Sequence, residues 1–294
     1  LVVPVGRSVI VVGDEEPRVN GGRLTRCDTS SIRPLEEVRG TLSKDRSVVL
    51  VGPPDAGKST LASYIYNSGL TRAIASLDVG QNELYCPGFA AKASPPRPFV
   101  PGSQVGAASA CLVGDFTPRG LEASYLYCAS RLLGGFKGTV IDTDGWVEGE
   151  GLILKAALAL QLDATVVAVG MEEAKRELSA YVGDVVFVPR LAPRSKSRSE
   201  RALNRDRMLA SCLRDAKRRV IGRDLVIGRP VGGGLEGLLS SIVSGGNEHF
   251  AVIERASTSS ETLTVLTGYE GAVEAVRLGR ARLDLKAFSG LIAR

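Results

Sequence analysis

The stretch Gly52-Pro-Pro-Asp-Ala-Gly-Lys-Ser-Thr60 follows the apolar run Ser47–Val51 and precedes a segment, 61–66, that we predict to be helical. It matches the pattern G-x-x-x-x-G-K-[ST], in which glycines let successive backbone N–H groups curl around phosphates. A helix that starts here directs its positive N-terminal end at the same anion. The stretch therefore predicts a P-loop that binds a nucleoside triphosphate through Gly52, Pro53, Pro54, Asp55, Ala56, Gly57, Lys58, Ser59 and Thr60.

Two side chains of this loop carry specific chemistry. The Lys58 ammonium places a positive charge beside the phosphate that is transferred, and the Ser59 hydroxyl is the type of group that ligates Mg²⁺ in P-loops. We therefore expect Lys58 to act in catalysis and Ser59 to hold a metal ion.

The composition and length of the chain limit which folds and which cellular compartments are expected. The chain has 294 residues and is 44% hydrophobic, which supports a large domain with a core and a smaller one. Its five cysteines, at 27, 86, 111, 128 and 212, form no C-x-x-C pair, and we interpret them as reduced thiols of a cytoplasmic protein. No apolar run reaches the ~20 residues of a membrane span, so we expect no membrane contact.

Positive charge is concentrated in one segment. Residues 190–223 contain twelve Lys or Arg and three Asp or Glu, a net +9, whereas the whole chain carries +5, so the remainder is about −4. A local basic segment on a nearly neutral body indicates one surface that contacts anions.

Strand-like and helical patterns alternate from about residue 47 to 190. Strands are predicted at 47–51, 73–78, 108–113, 138–142, 164–169 and 184–188, and helices near 58–66, 120–133, 150–161 and 171–180. This alternation predicts an α/β fold of the P-loop NTPase type, a mostly parallel sheet flanked by helices.

The rest of the chain gives the domain prediction. We expect a β-rich N-terminal segment at 1–40, a P-loop domain with an arginine lid at 41–222 and a β-rich C-terminal module at 223–294. Residues 82–104 contain five prolines and are predicted to be a long loop, either functional or disordered.

Carboxylates end two of the predicted strands. Ligands of such sheets bind at the carboxyl ends of strands, where Asp78 and Asp142 lie. Asp142 is expected on the Mg²⁺ side, whereas two roles are open to Asp78: holding Mg²⁺ through water, or accepting a proton from an attacking hydroxyl. The only histidine, His249, lies in the C-terminal module, so Asp78 is the better candidate for a base. The single tryptophan, Trp146, is expected to pack on the nucleotide or the P-loop.

Four arginines form a stripe. Arg194, Arg198, Arg201 and Arg205 are spaced by four, three and four residues, which places them on one face of a helix. Because like charges at this spacing repel, the stripe favours an anion contact, such as a lid that neutralises the γ-phosphate, and a solvated basic face is the alternative. Two interpretations remain open for Lys217, Arg218 and Arg219: contact with a nucleic-acid backbone, or a solvated helix end.

Five motifs in this order resemble the polynucleotide 5′-hydroxyl-kinase family, which includes archaeal RNA kinases and kinases of eukaryotic mRNA cleavage, tRNA splicing and pre-rRNA processing. They are the P-loop, Leu77–Gln81 with Pro87-Gly88, Gly114-x-x-Thr-Pro118, Asp142-Thr-x-Gly-Trp146, and the arginine segment. The resemblance covers roughly 45–215. Because only about forty residues precede the matched core, we expect a protein that resembles a stand-alone archaeal kinase.

The resemblance implies transfer of the γ-phosphate of ATP, with GTP also open, to the 5′-hydroxyl end of RNA, with DNA also open, in RNA processing or repair. It implies that Asp78 activates this hydroxyl, that Gln81 lies near the reacting centre, and that Thr117 lies on the substrate side. Thr143, Gly145 and Trp146 match the family's T-x-G-W element, which closes against the nucleotide. The arginine segment matches its lid, with Arg194, Lys196 or Arg198 as the first member, because the spacing departs from the usual one.

Two other functions are compatible with parts of the sequence. One is an ATP-binding adaptor of the same family that does not catalyse transfer, although such a protein has no need of Lys58, Asp78 and the arginines. The other is a P-loop GTPase, against which the lack of an N-K-x-D or T-K-x-D segment argues. The preference between RNA and DNA and the oligomeric state are not predicted.

Overall fold

The computed structural model describes residues 2–5, 8–11, 33–43, 45–100, 109–191, 195–228 and 234–288, with side chains from residue 36 onwards. The strands are β1 Val2–Val5, β2 Ser8–Val11, β3 Val48–Val51, β4 Ala73–Leu77, β5 Phe89–Ala93, β6 Ser109–Leu112, β7 Thr139–Thr143, β8 Thr165–Val169, β9 Val185–Val188, β10 Lys217–Gly222, β11 Val226–Ile227, β12 Leu238–Ser244, β13 Asn247–Ser257, β14 Thr262–Thr267 and β15 Ala275–Arg282.

The helices of the described residues are α1 Arg33–Thr41, α2 Lys58–Asn67, α3 Glu122–Leu133, α4 Glu150–Gln161, α5 Glu172–Val182 and α6 Arg198–Leu213. The chain divides into two compact units. The first comprises the spans Leu1–Ala75, Ala93–Gly106 and Gly135–Ser195, and the second Ser76–Lys92, Ala107–Gly134 and Lys196–Arg294.

Parallel strands form the centre of the first unit. Strand β3 pairs in parallel with β7 on one side and β8 on the other, and β9 continues from β8 in the same direction. All residues of β3 and β7 are buried, as expected for apolar strands covered by helices on both faces. The carboxyl ends of β3 and β7 therefore lie at one edge, where the P-loop follows β3 and Asp142 is the fourth residue of β7.

The second unit is built on a six-stranded sheet with the order β10-β14-β13-β12-β15-β11. All neighbours in it are antiparallel except β11 and β15. One apolar cluster joins Leu239, Phe250 and Leu266 of this sheet to Leu209 and Leu213 of α6. A second cluster is formed by residues of the sheet and its connections, including Leu238, Ile242, Ala251, Ile253 and Val265.

The predicted fold class is confirmed: the protein is α/β, with a mostly parallel sheet flanked by helices and a β-rich C-terminal sheet. The predicted strands and helices of residues 47–190 all occur. The domain boundaries at 40 and 222 stay a prediction. No helix in the part of the chain that the structure describes is long and apolar enough to cross a membrane.

Two structural expectations were wrong. Residues 82–104 are not a loop throughout, because Phe89–Ala93 forms β5, which pairs antiparallel with β6. Four cysteines are not thiols: Cys86 is bonded to Cys212, and Cys111 to Cys128. These pairs are 126 and 17 residues apart in sequence, so no local spacing reveals them. Cys27 lies outside the described residues.

Candidate active site

The P-loop connects β3 to α2. Gly57 caps α2 with a φ of 101°, a left-handed conformation that glycine adopts without steric cost. Lys58 is buried, and its Nζ donates to the carbonyl oxygens of Gly52 at 2.9 Å and Pro53 at 3.0 Å. The ammonium is therefore held inside the curve of the loop, where the P-loop pattern requires a cation.

Ser59 and Asp142 meet although 83 residues separate them. The Ser59 Oγ donates to Asp142 Oδ2 at 2.6 Å, because Leu50 of β3 lies opposite Asp142 of β7 in the parallel register. Asp142 is buried. The register thus brings together two of the three residues predicted to hold a metal ion.

This pair has the donor chemistry that Mg²⁺ requires. A hydroxyl and a carboxylate are hard oxygen donors, and P-loop proteins hold Mg²⁺ through such a pair. Among the described residues, no group of three or more His, Cys, Asp and Glu side chains could hold a metal. A cation at Ser59 and Asp142 would therefore complete its shell with phosphate oxygens and water, as Mg²⁺ commonly does.

The T-x-G-W element, residues 143–146, contacts the P-loop and β3. Thr143 Oγ1 donates to Leu50 O at 2.7 Å, so this hydroxyl fixes the element to β3. A Cβ added to Gly145 would lie 2.5 Å from Pro54 Cγ, which is closer than side-chain packing permits. Glycine is thus needed for the element to approach the P-loop.

A buried ion pair supports the same element. Lys155 of α4 is fully buried, and its Nζ lies 2.5 Å from Asp144 Oδ2. The other carboxylate oxygen, Oδ1, accepts from Trp146 N at 2.8 Å. A Cβ on Gly151 would lie 2.6 Å from Trp146 Cγ, so the indole packs directly on α4. No motif of the sequence predicts the pairing of Asp144 with Lys155, although a single lysine within the apolar segment 151–160 was an available signal.

A further contact to the P-loop comes from the residues after β9. Arg190 Nη2 donates to Asp55 O at 3.1 Å, and Leu191 N donates to Ala56 O at 2.9 Å. Asp55 itself has a φ of 59°. No sequence motif predicts a role for Arg190, although its place after a strand at the P-loop edge of the sheet was an available signal.

In the second unit, Asp78 forms a tight turn after β4. Its Oδ1 accepts from Gly80 N and Gln81 N, both at 3.0 Å. These two bonds fix the orientation of the carboxylate, a geometry typical of an Asx turn. Asp78 is half-buried.

Gln81 joins this turn to the arginine helix. Its Nε2 donates to Arg201 O of α6 at 3.0 Å and to Gly80 O at 3.0 Å. The predicted base and the predicted lid are thereby connected within one unit through the residue predicted to lie near the reacting centre.

The arginine stripe lies on α6 as predicted, apart from Arg194, which is outside the described residues. A capping box of Ser197 and Glu200 starts the helix. Arg198 is exposed, Arg201 Nη1 donates to Lys196 O at 2.7 Å, and the Arg205 guanidinium lies 4.8 Å from the centroid of the Phe116 ring.

Thr117 lies in the loop that also carries Phe116. It is half-buried, and its hydroxyl is 3.4 Å from Arg119 N. The structure thus places Thr117 beside the residue that stacks on Arg205.

The second basic cluster, Lys217 to Arg219, lies on strand β10 and not on a helix end. Lys217 pairs with Glu270 at 2.5 Å and Arg218 with Glu254 at 2.8 Å, whereas Arg219 donates to the Tyr269 and Gly271 carbonyls. Local acceptors therefore engage all three side chains.

His249 lies on β13, in the C-terminal sheet, with its ring stacked on that of Tyr269 at a centroid distance of 3.7 Å. Burial lowers the pKa of His249 below its ordinary value of 6.5, because desolvation disfavours the charged imidazolium. Its contacts are those of a structural side chain.

The family model and the known proteins that match this chain all carry the name CLP1. The family model described as the mRNA cleavage and polyadenylation factor CLP1 P-loop matches residues 52–214. The "Polyribonucleotide 5'-hydroxyl-kinase Clp1" of Danio rerio is 32% identical over 184 residues, which cover 53% of this chain and 41% of that protein. The Homo sapiens protein of the same name is 32% identical over 181 residues, covering 52% and 42%. The chain thus matches less than half the length of these relatives.

Solved structures resemble the fold. The structure titled a wild-type Clp1p–Pcf11p complex aligns with a TM-score of 0.63 at 17% identity, covering 84% of this chain and 77% of the other. A second structure, whose title concerns the Pcf11p–Clp1p interface and ATP loss in a point mutant, aligns with a TM-score of 0.61 at 15% identity. At this identity the likeness supports the fold alone.

Proposed function

The chain belongs to the family of the mRNA cleavage and polyadenylation factor CLP1 P-loop, and from this premise we propose that it is an ATP-dependent polynucleotide 5′-hydroxyl kinase. The name of its relatives, polyribonucleotide 5′-hydroxyl-kinase, supports RNA as the first acceptor to test. The observation that carries the proposal is the hydrogen bond from Gln81 to Arg201, which joins a candidate base to the arginine helix. A protein that only binds ATP has no need of this connection.

The residues of the first unit account for binding of the phosphate donor. The backbone N–H groups of the P-loop and the N-terminus of α2 bind the phosphates, and Lys58 supplies the positive charge. Ser59 and Asp142 would hold Mg²⁺, and the bound ion would supply positive charge to neutralise the phosphate oxygens. The T-x-G-W element, fixed by Lys155 through Asp144, limits the volume next to Pro54 and orients the nucleotide.

The residues of the second unit account for the acceptor chemistry. The acceptor 5′-oxygen forms a bond to the γ-phosphorus, while the bond from that phosphorus to the β–γ bridging oxygen breaks. Asp78 takes the hydroxyl proton, and the products are ADP and a 5′-phosphorylated end. Because a 5′-hydroxyl is a weak acid, Asp78 takes the proton late, as the new bond forms.

Arg198, Arg201 and Arg205 neutralise the transferring phosphoryl group, and Arg194 stays a further candidate for this role from the sequence alone. In enzymes that use such arginines, the contribution is ~10³–10⁵ in rate. Gln81 keeps α6 in register with the Asp78 turn, and Thr117 lies on the acceptor side. Catalysis in this scheme consists of positioning and charge neutralisation.

An end-labelling assay tests the proposal. The protein is incubated with Mg²⁺, γ-labelled ATP and matched RNA and DNA oligonucleotides that carry either a 5′-hydroxyl or a 5′-phosphate. We expect label only on the 5′-hydroxyl oligonucleotides, with RNA preferred. Label on neither acceptor, with ATP binding intact, would contradict the proposal and favour the adaptor. A parallel reaction with labelled GTP tests the donor.

A further inference from the structure

We propose that Arg280, on strand β15 of the C-terminal sheet, is a positioning residue that fixes the acceptor side of the kinase site. This inference rests on the proposed function. It assigns a role to the C-terminal sheet, all six strands of which lie beyond the matched residues 52–214.

A series of backbone hydrogen bonds leads from the Asp78 turn to β15. Gly88 N donates to Val79 O at 2.8 Å, and Gly114 N donates to Gly88 O at 3.0 Å. Gly114 O then accepts from Arg280 N at 2.7 Å. Strand β15 is therefore connected in three steps to the residue that follows Asp78.

The last of these steps requires a very close approach of two backbones. A Cβ on Gly279 would lie 2.8 Å from Gly114 O and 3.0 Å from Gly114 Cα. Gly114 has a φ of 108°, which strongly favours glycine. Gly114 and Gly279 thus allow the segment of residues 114–120, here called the 114–120 loop, to lie against β15.

The Arg280 side chain holds the same loop at two further points. Its Nε donates to Asp115 Oδ2 at 2.8 Å, and its Nη2 donates to Arg119 O at 2.8 Å. A Cβ on Gly120 would lie 2.9 Å from Arg280 Nη1. The guanidinium therefore spans the loop from Asp115 to Gly120. A planar group with several N–H donors can make these contacts together, whereas a lysine ammonium cannot.

The 114–120 loop contacts both Arg205 of α6 and the Asp78 turn. Its Phe116 ring lies under the Arg205 guanidinium at 4.8 Å. A Cβ on Gly80 would lie 2.9 Å from Phe116 O, so the loop also packs on the Asp78 turn. Displacement of this loop would therefore change the positions of both the Arg205 and the Asp78 side chains.

The Arg280–Asp115 pair is partly exposed, with side-chain exposures of 34% and 21%. Pairs of this kind contribute little to stability. We therefore expect removal of the guanidinium to leave the fold intact and to act on geometry, where a 1 Å misplacement can cost about 10²-fold in rate.

Arg280→Ala is compared with Arg282→Ala, the matched control. Arg282 lies two residues further on β15, and its guanidinium donates to the Glu236 and Gly234 carbonyls. Two readouts are measured on the full chain: amide hydrogen exchange of residues 114–120, and KM and kcat for the oligonucleotide and for ATP. Arg280→Lys serves as the conservative variant.

For Arg280→Ala we expect faster exchange in the 114–120 loop and kcat/KM for the oligonucleotide lower by about 10–100-fold, with KM for ATP within about twofold. Arg280→Lys should restore part of the loss, and Arg282→Ala should match the wild type. Equal exchange and equal kcat/KM in the two alanine variants would overturn the positioning role. If the wild type transfers no phosphate, the proposed function fails, whereas the exchange comparison still decides whether Arg280 orders the loop.

Discussion

The Ser59 hydroxyl donates to the Asp142 carboxylate at 2.6 Å, from the first turn of α2 to a residue in strand β7. This contact joins the P-loop to the neighbouring strand by a pair of oxygen ligands. We propose this pair as a Mg²⁺ site, since Mg²⁺ in proteins takes a few hard oxygen ligands from side chains and the others from phosphate and water.

We expect Ser59→Ala and Asp142→Asn each to lower kcat by about 10²–10³-fold, because each would remove one proposed ligand of a Mg²⁺ ion that stabilises developing charge. The double variant should be little worse than either single one, since the two side chains act as a unit. Steady-state kinetics over a Mg²⁺ titration measures this.

Ser63→Ala is the matched control for Ser59→Ala. In the wild type the Ser63 hydroxyl donates to Ser59 O at 2.9 Å on the same helix. The Ser63→Ala substitution should leave the Mg²⁺ dependence of kcat unchanged. Full additivity of the Ser59 and Asp142 effects would argue against a shared ion.

Asp78→Asn should lower the rate of transfer by about 10²–10⁴-fold while ATP affinity is retained, because the amide cannot take the hydroxyl proton. The Asn oxygen can still accept from Gly80 N and Gln81 N, so the turn is kept. Single-turnover transfer and equilibrium ATP binding are the two measurements. Transfer at the wild-type rate would exclude Asp78 as the base.

Lys155→Met should destabilise the protein by about 3–5 kcal/mol, because it leaves the buried Asp144 carboxylate without its cation. Denaturant unfolding gives the free energy, and fluorescence of Trp146, the only tryptophan, reports on the T-x-G-W element. Lys175→Met, at an exposed position of α5, is the control and should change stability by less than about 0.5 kcal/mol. Equal effects of the two substitutions would show that the Asp144 pair is not needed.

The stability of the protein should depend on pH through His249. Because the folded-state pKa lies below 6.5, the unfolded chain binds more protons between the two pKa values. The contribution of His249 to the free energy of unfolding is therefore complete above pH 6.5 and is lost as the pH falls towards the folded pKa. Unfolding of the wild type and of His249→Gln from pH 7.5 to about 5 measures this, and equal slopes would refute it.

Local patterns predicted much of the fold and the donor-side residues. The P-loop, the strand-end acids and the arginine spacing follow from short-range rules, and the structure joins Ser59 to Asp142 through the parallel register of β3 and β7. Strand β5 was missed because it lies among prolines and is specified by its partner β6.

Contacts that depend on the tertiary fold could not be predicted from local spacing. The Asp144–Lys155 pair, the two disulfides and the contact of Gly279 with Gly114 join residues that no sequence motif connects. Lys217 to Arg219 had two open interpretations, and their pairing with Glu270, Glu254 and local carbonyls is set by the partners of β10.

The most direct test of the central claim is a multiple-turnover reaction. A 5′-hydroxyl RNA and ATP are supplied in large excess over the protein, with Lys58→Ala as the parallel control. We expect many 5′-phosphorylated ends per protein molecule from the wild type and none from the variant. ATP binding by the wild type without any phosphorylated end would contradict the account and identify the chain as a nucleotide-binding adaptor.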